Sequence, residues 1–224
     1  MSVLFIFLLV SGISFSQLEI IEHEAMKAIY YTDTISAYRG EVIEIDYMTW
    51  MKENLDVTYF RNGDKIPKAQ TKKKWVKAYI NEEPAWCYPQ DSAGRVIKNI
   101  GKFYNYYAVN DSRGLSPEGW YIPDFLEWRS FIFALGGPEM KNEYGVTPFS
   151  YLRDFSSSFN CTYSGYRDFK GDFIGNNEVV HFYADDDDIS FVHWKNSFQN
   201  ENSSRNINFR FIMGRNGYFV RCLK

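Results

Sequence analysis

Residues 117–137 read PEGWYIPDFLEWRSFIFALGG and carry the best-defined helix signal in the chain. Asp124 is followed three residues later by Glu127, a capping-box pattern with aspartate as the N-cap. Apolar residues then lie almost all round the helix, so we expect it to be buried on much of its surface. The Gly136–Gly137 pair predicts where this helix ends.

A second helix is predicted from residue 71 onward. Thr71 is a suitable N-cap, and Trp75 and Tyr79 stand four residues apart, as they would on one helix face. Three lysines at 72–74 oppose the helix dipole in the first turn, so this helix should be only modestly stable by itself. It must end before Pro84.

Short strands make up most of the remaining regular pattern. Alternating or β-rich segments occur at 42–47, 178–184, 206–213 and 218–222. In the second of these, Val179, His181 and Tyr183 share one face and Val180, Phe182 and Ala184 the other. Asn62–Asp64 predicts a turn, and Asn216–Gly217 predicts a hairpin turn into the last strand. The pattern indicates an α+β domain with two helices, short antiparallel strands and long loops.

The composition narrows the class of partner. Aromatic residues make up 19% of the chain, which suits an irregular, strand-rich core and also a surface that stacks on sugars. The net charge is −3, and the only cluster of basic residues is Lys72–Lys74, which we interpret as a solvated helix face. Nucleic acid is therefore not an expected partner.

The first sixteen residues differ from the rest. An apolar run, Leu4–Val10, is followed by small residues at Ser14 and Ser16, as at the cleavage site of a secretory signal peptide. We expect a mature chain that begins at Gln17, with localisation outside the cell or at its surface. The run is too short for a comfortable membrane span, so no membrane span is expected. The predicted organisation is a signal peptide (1–16), a lead-in (17–40) and one domain (41–224).

Several short motifs occur along the chain: WMKENL (50–55), FRNGD (60–64), PAWCY (84–88), GKFYNYYAV (101–109), PEGWYIP (117–123), LGG (135–137), SGYR (164–167) and GYFVRC (217–222). Together they resemble one known family, the Fibrobacter succinogenes major paralogous domain family. The resemblance implies a secreted module with a C-type-lectin-like fold, related in architecture to the formylglycine-generating enzymes. Where the family usually has a Trp-Trp-Ser-Ser-like segment, this chain has His181–Ala184 followed by four aspartates.

Three cysteines occur, at Cys87, Cys161 and Cys222. In an oxidising compartment one pair and one leftover thiol are expected, and spacing alone leaves all three pairings open. Cys87 and Cys222 stand inside the segments that match the family best. The resemblance therefore implies a Cys87–Cys222 disulfide, with Cys161 free.

No catalytic residues, and no cofactor, are expected from the sequence. It contains no Gly-x-Ser-x-Gly elbow, no P-loop and no His-Glu-x-x-His motif. His181 lies within a predicted strand, where a packed histidine is more common than a general base. A formylglycine-type modifying enzyme remains an alternative, because that chemistry uses a close pair of cysteines.

Two candidate sites remain. The Asp185–Asp188 run lacks the ligand spacing of an EF-hand, so we interpret it as a solvated acidic loop without a metal. Loops on a rigid scaffold commonly carry binding residues, and the candidates for sugar contact are Trp194, Arg167, Tyr166 and Asn196. The leading hypothesis is a non-catalytic module whose partner is a glycan or an extracellular protein. The alternative outside catalysis is a structural component of an extracellular assembly.

Overall fold

The structure is a computed structural model that describes residues 38, 40–45, 47–134, 159, 162–176, 179–184, 190–195, 207–211 and 215–224. Three helices occur in this part of the chain: α1 (Lys72–Ile80), α2 (Tyr106–Val109) and α3 (Phe125–Ala134). The strands are β1 (Val42–Ile45), β2 (Met48–Met51), β3 (Trp86–Cys87), β4 (Phe103–Asn105), β5 (Ser164–Arg167), β6 (Phe173–Asn176), β7 (Val179–Ala184), β8 (Ser190–Lys195), β9 (Ile207–Phe211) and β10 (Gly217–Tyr218). The domain is therefore mixed α/β, with strands predominating.

Eight of the strands form one sheet in the order β3-β4-β10-β5-β7-β8-β9, with β6 paired to the side of β5. Its pairs are antiparallel except β5 with β7, which is parallel. Strands β1 and β2 form a separate antiparallel hairpin. Trp50 of this hairpin bridges Leu223, so the opening of the domain lies beside its end.

The sheet has a buried cluster on each face. Side chains alternate across a strand, so neighbours such as Phe103 and Tyr104 point to opposite sides. Phe103 belongs to a cluster with Trp75 of α1 and Trp128 of α3, which we name the helix-side core. Tyr104 belongs to a second cluster with residues of the loops and α2, which we name the loop-side core.

Both predicted helices are present, with the predicted N-caps. The Thr71 side chain accepts a hydrogen bond from the backbone N–H of Lys74. Asp124 and Glu127 form the reciprocal capping box, with donor–acceptor distances of 2.7 and 2.9 Å. In α3, Trp128 is fully buried while Leu126 is 62% exposed, so burial is less complete than the apolar composition predicts. The Gly136–Gly137 end lies outside the described residues.

Strand β7 follows the predicted alternation. Val180 and Phe182 lie in the helix-side core, and Tyr183 lies in the loop-side core. Both faces are buried because the sheet is covered on both sides.

Two strand predictions need correction. Asn216–Gly217 does not make a hairpin with the preceding strand, because β10 pairs with β4 and β5 while β9 pairs with β8. The segment from residue 42 is two strands and not one. Between them Tyr47 is fully exposed, with a positive φ of 65°, so the chain reverses there. No helix in the described residues is long and apolar enough to cross a membrane.

Candidate binding groove and lysine–aromatic platform

A buried arginine organises the start of the domain. Arg221 is fully buried, and its Nη1 donates to the carbonyl oxygens of Lys52 and Phe159, at 2.5 and 2.8 Å. Its Nε and Nη2 both donate to Oδ1 of Asn54. The Asn54 side-chain amide in turn donates to the carbonyl oxygen of Ile100 at 2.8 Å. Two loops distant in sequence are thereby fixed against the last segment of the chain.

An open groove of about 220 Å³ lies between these two loops. Its lining residues are Glu53, Asn54, Asp56, Lys98, Asn99, Ile100 and Gly101. A Cβ on Gly101 would come within 2.5 Å of the Asn54 Cβ, so the absence of a side chain at 101 lets the two loops approach this closely. The floor of the groove is rigid because Asn54 is hydrogen-bonded on both sides.

The rim of the groove consists of exposed polar side chains. Glu53, Asp56, Lys98 and Asn99 are all exposed. Within the part of the chain that the structure describes, the side chains of Glu53, Lys98 and Asn99 make no hydrogen bond or ion pair. The rim therefore offers a ligand both hydrogen-bond donors and acceptors, and both a positive and a negative charge.

Next to the groove lies a group that we name the lysine–aromatic platform: Lys68, Trp86, Tyr88 and Lys102. The Lys102 ammonium is 3% exposed, donates to the Asp56 carboxylate, and lies 4.9 Å from the Trp86 ring and 5.2 Å from the Tyr88 ring. Burial lowers the pKa of Lys102, and the hydrogen bond that Lys102 donates to Asp56 partly opposes that shift. Asp56 joins the platform to the groove, because it lines one and binds the other.

The second ammonium of the platform, Lys68, lies 5.2 Å from the centre of the Trp86 ring and 4.7 Å from that of Tyr88. The backbones that carry these side chains are held firmly. Residue 68 bridges Trp86, and Gln70 makes two hydrogen bonds to the backbone of Tyr88, at 2.9 and 3.0 Å. The backbones of Lys68, Trp86 and Tyr88 are therefore fixed relative to one another.

Two of the four predicted sugar-contact residues, Tyr166 and Arg167, do not share a surface. Tyr166 and Arg167 are consecutive on β5 and point to opposite faces of the sheet. Tyr166 is half-buried on the loop side, 4.7 Å from the His181 ring and 5.6 Å from the Tyr218 ring. His181 is only 4% exposed, as expected for a packed histidine.

Arg167 is 1% exposed and points into the helix-side core. It donates to the carbonyl oxygens of Ala69 and Gly171, and its guanidinium lies 4.8 Å from the Trp75 ring and 4.7 Å from the Phe173 ring. The expectation that placed Arg167 on an exposed binding surface therefore needs correction. Its hydrogen bonds inside the domain compensate the cost of burying the charge.

Of the other two candidates, Trp194 is in β8 and Asn196 lies outside the described residues. The backbone of Trp194 is in β8, opposite Val180 of β7 and Ile207 of β9. Asn196 and the Asp185–Asp188 run lie outside the described residues, and so does Cys161. Within the described part, no group of three or more His, Cys, Asp or Glu side chains is placed to hold a metal ion.

The expected Cys87–Cys222 bond is not formed, and both residues are free, buried thiols. The two side chains pack in different places: Cys87 lies in the helix-side core, and Cys222 lies in the loop-side core. Burial raises the pKa of Cys87 to about 11 and that of Cys222 to about 12. Both thiols are therefore protonated at neutral pH.

Residues 43–224 match the family model of the Fibrobacter succinogenes major domain. The chain belongs to this family. The match confirms the resemblance drawn from the motifs, and it covers the groove, the platform and both core clusters. Neither a curated protein nor a solved structure matches the chain.

Sequence reasoning missed the groove and the platform. Several of their residues lie in motif segments of the family: Glu53 and Asn54 in 50–55, Tyr88 in 84–88, and Gly101 and Lys102 in 101–109. These polar residues could have indicated the site. A Glu, Asn or Lys inside an otherwise aromatic motif either has a hydrogen-bonding partner or faces solvent.

Proposed function

We propose that this domain is a secreted, non-catalytic recognition module with a C-type-lectin-like fold, and that its groove binds a glycan. The observation that carries the proposal is the contrast between the floor and the rim. The floor is the buried side chain of Asn54, which is hydrogen-bonded to Ile100 and Arg221. On the rim, the side chains of Glu53, Lys98 and Asn99 have no hydrogen bond or ion pair with other described residues. A polyhydroxylated ligand needs both kinds of partner, and a rigid floor lowers the entropy lost when the ligand binds.

The path of the chain supports the lectin-like assignment. Thr49 and Lys224 exchange backbone hydrogen bonds, and the N–H of Met51 donates to the carbonyl oxygen of Cys222 at 3.0 Å. The domain therefore closes on itself, as lectin-like folds do, with long loops between short strands.

The two described thiols give no support to the formylglycine-type alternative. That chemistry needs a close pair of reactive cysteines, and a reactive cysteine needs an accessible thiolate. Cys87 and Cys222 pack in two different core clusters and are protonated at neutral pH.

A glycan array followed by titration of the best ligand tests the proposal. We expect the double variant Glu53→Ala/Asn99→Ala to weaken binding about tenfold, which corresponds to about 1.4 kcal/mol. Lys73→Ala, on the exposed face of α1, serves as the matched surface control and should bind as the wild type does. If the wild-type protein binds no glycan but binds an extracellular protein, the glycan proposal is wrong and the partner is a protein. If the double variant binds the glycan as tightly as the wild type does, the groove is not the binding site.

The location of the protein is tested separately. N-terminal sequencing of the protein recovered outside the cell should find Gln17 as the first residue. Recovery of a chain that still begins with Met1 from inside the cell would contradict secretion.

A further inference from the structure

The positive charge of the lysine–aromatic platform is only partly neutralised by the described carboxylates. Lys102 is paired with Asp56, whereas Lys68 has no carboxylate partner within the described residues. The charged groups facing the groove and the platform are Lys68, Lys98 and Lys102 against Glu53 and Asp56. One cation is therefore in excess, and Lys68 lies over two aromatic rings.

The two platform ammoniums also act on each other. Both lie within 5.2 Å of the centres of the same two rings, and the charge of Lys68 contributes to lowering the pKa of Lys102. An anion bound at Lys68 would relieve this repulsion and gain charge-assisted hydrogen bonds. Tyr88 is half-buried, so part of this aromatic side chain is accessible beside Lys68.

We propose that the ligand of this protein is an acidic glycan, whose carboxylate or sulfate binds Lys68 while a neighbouring sugar occupies the groove. The inference rests on the proposed function and assigns its substrate class. Asp56 connects the two parts, because it lines the groove and binds Lys102. Lys98 on the rim adds a second cation for a polyanionic chain.

Pairs of charged and neutral polymers distinguish the contribution of the acidic group to binding from that of the sugar. Polygalacturonate and its fully methyl-esterified form have the same backbone with and without the carboxylate charge, and dextran sulfate and dextran provide the same comparison for sulfate. We expect the wild type to bind one of the charged polymers at least about tenfold more tightly than its neutral form. This binding should weaken with salt.

Variants at Lys68 assign the effect to the platform. Lys68→Gln should lose about tenfold in affinity for the charged polymer and show a shallower salt dependence, while Lys68→Arg should retain most of the binding. Lys73→Gln, which removes a charge from the exposed face of α1, should leave binding unchanged.

The outcomes distinguish this inference from the proposed function. Binding of a neutral glycan that depends on Glu53 and Asn99 but not on Lys68 would overturn the acidic class and keep the groove. If Lys68→Gln and Lys73→Gln lose affinity for the charged polymer equally, the binding depends only on net charge and the inference is wrong. Absence of binding to any glycan would overturn both.

Discussion

Arg221 and Asn54, 167 residues apart in sequence, are joined by two hydrogen bonds to a single oxygen. Nε and Nη2 of Arg221 lie 3.1 and 2.5 Å from Oδ1 of Asn54. Both residues are buried, at 0 and 7% exposure. This contact fixes the groove floor to the last segment of the chain, so the geometry of the site depends on the complete fold.

We expect Arg221→Met to destabilise the protein by about 3 kcal/mol or more. The substitution leaves Oδ1 of Asn54 and several buried carbonyl oxygens without a donor, and each such loss costs roughly 1–3 kcal/mol. Urea denaturation measures the change. Arg95→Met is the matched control, because the Arg95 side chain is 81% exposed and its pair with Asp91 should contribute about 0–1 kcal/mol. Equal stabilities for the two variants would contradict the structural role of Arg221.

Gly165 and Gly94 provide a second comparison. Both have positive φ, 67° and 77°, but a Cβ at 165 would lie 1.9 Å from the carbonyl oxygen of Ile174, whereas a Cβ at 94 has no atom within 4 Å. Gly94→Ala should cost only the backbone strain, about 1–2 kcal/mol. Gly165→Ala should cost clearly more, since the β5–β6 pairing has to shift. Thermal unfolding of both variants measures the difference, and a Gly165→Ala variant as stable as Gly94→Ala would contradict this packing.

Local features of the fold were predictable from the sequence, and long-range ones were not. The N-caps at Thr71 and Asp124 and the alternation of β7 depend on residues within a few positions, so the pattern alone indicates them. The insertion of β10 between β4 and β5 depends on partners about 50 to more than 110 residues away. No periodicity encodes such a partner.

The candidate site illustrates the same limit. The loop-rich C-terminal region suggested that Arg167 contacts a ligand, because binding residues commonly lie on loops. Its burial is stabilised by carbonyl oxygens and aromatic rings that come together only in the folded chain. The groove combines residues 53–56 with residues 98–101, and only the tertiary structure brings them together.

The capping box of α3 supplies a third prediction. Asp124→Ala should destabilise the protein by about 1 kcal/mol, because it removes the acceptor for the backbone N–H of Glu127. Asp124→Ser should recover most of the loss, since serine is also a strong N-cap. Chemical denaturation of both variants measures the effect. A serine variant as unstable as the alanine variant would indicate that the charge of Asp124, and not the cap, matters.

Tyr121 gives a pH-dependent prediction. Burial, followed by its hydrogen bond to Glu127 at 2.6 Å, raises the pKa of Tyr121 to about 12. The raised pKa favours the neutral phenol in the folded state. Its stabilising contribution is therefore complete below the unfolded pKa of about 10 and is lost as the pH rises through the folded pKa. Comparison of the ultraviolet phenolate titration of the wild type with that of Tyr121→Phe should assign a late step to Tyr121. An assigned step near pH 10 would contradict the hydrogen bond.

The last prediction concerns the thiols, and it uses the Cys161→Ser variant so that only Cys87 and Cys222 remain. In the native protein neither thiol should react with an alkylating reagent at pH 8, because both are buried and burial raises their pKa to about 11 and about 12. After denaturation both should be labelled completely. The intact mass before labelling should equal the mass of the reduced chain, without the loss of about 2 Da that a disulfide causes.

Two results would contradict this arrangement in different ways. A mass deficit that disappears on reduction would show that Cys87 and Cys222 meet, which would contradict their packing in two different core clusters. Fast labelling of one thiol in the native protein would show an accessible thiolate, and a single-cysteine variant would identify it. Either result would also return a thiol-based activity to consideration, because the proposal of a non-catalytic module depends partly on these two cysteines being inert.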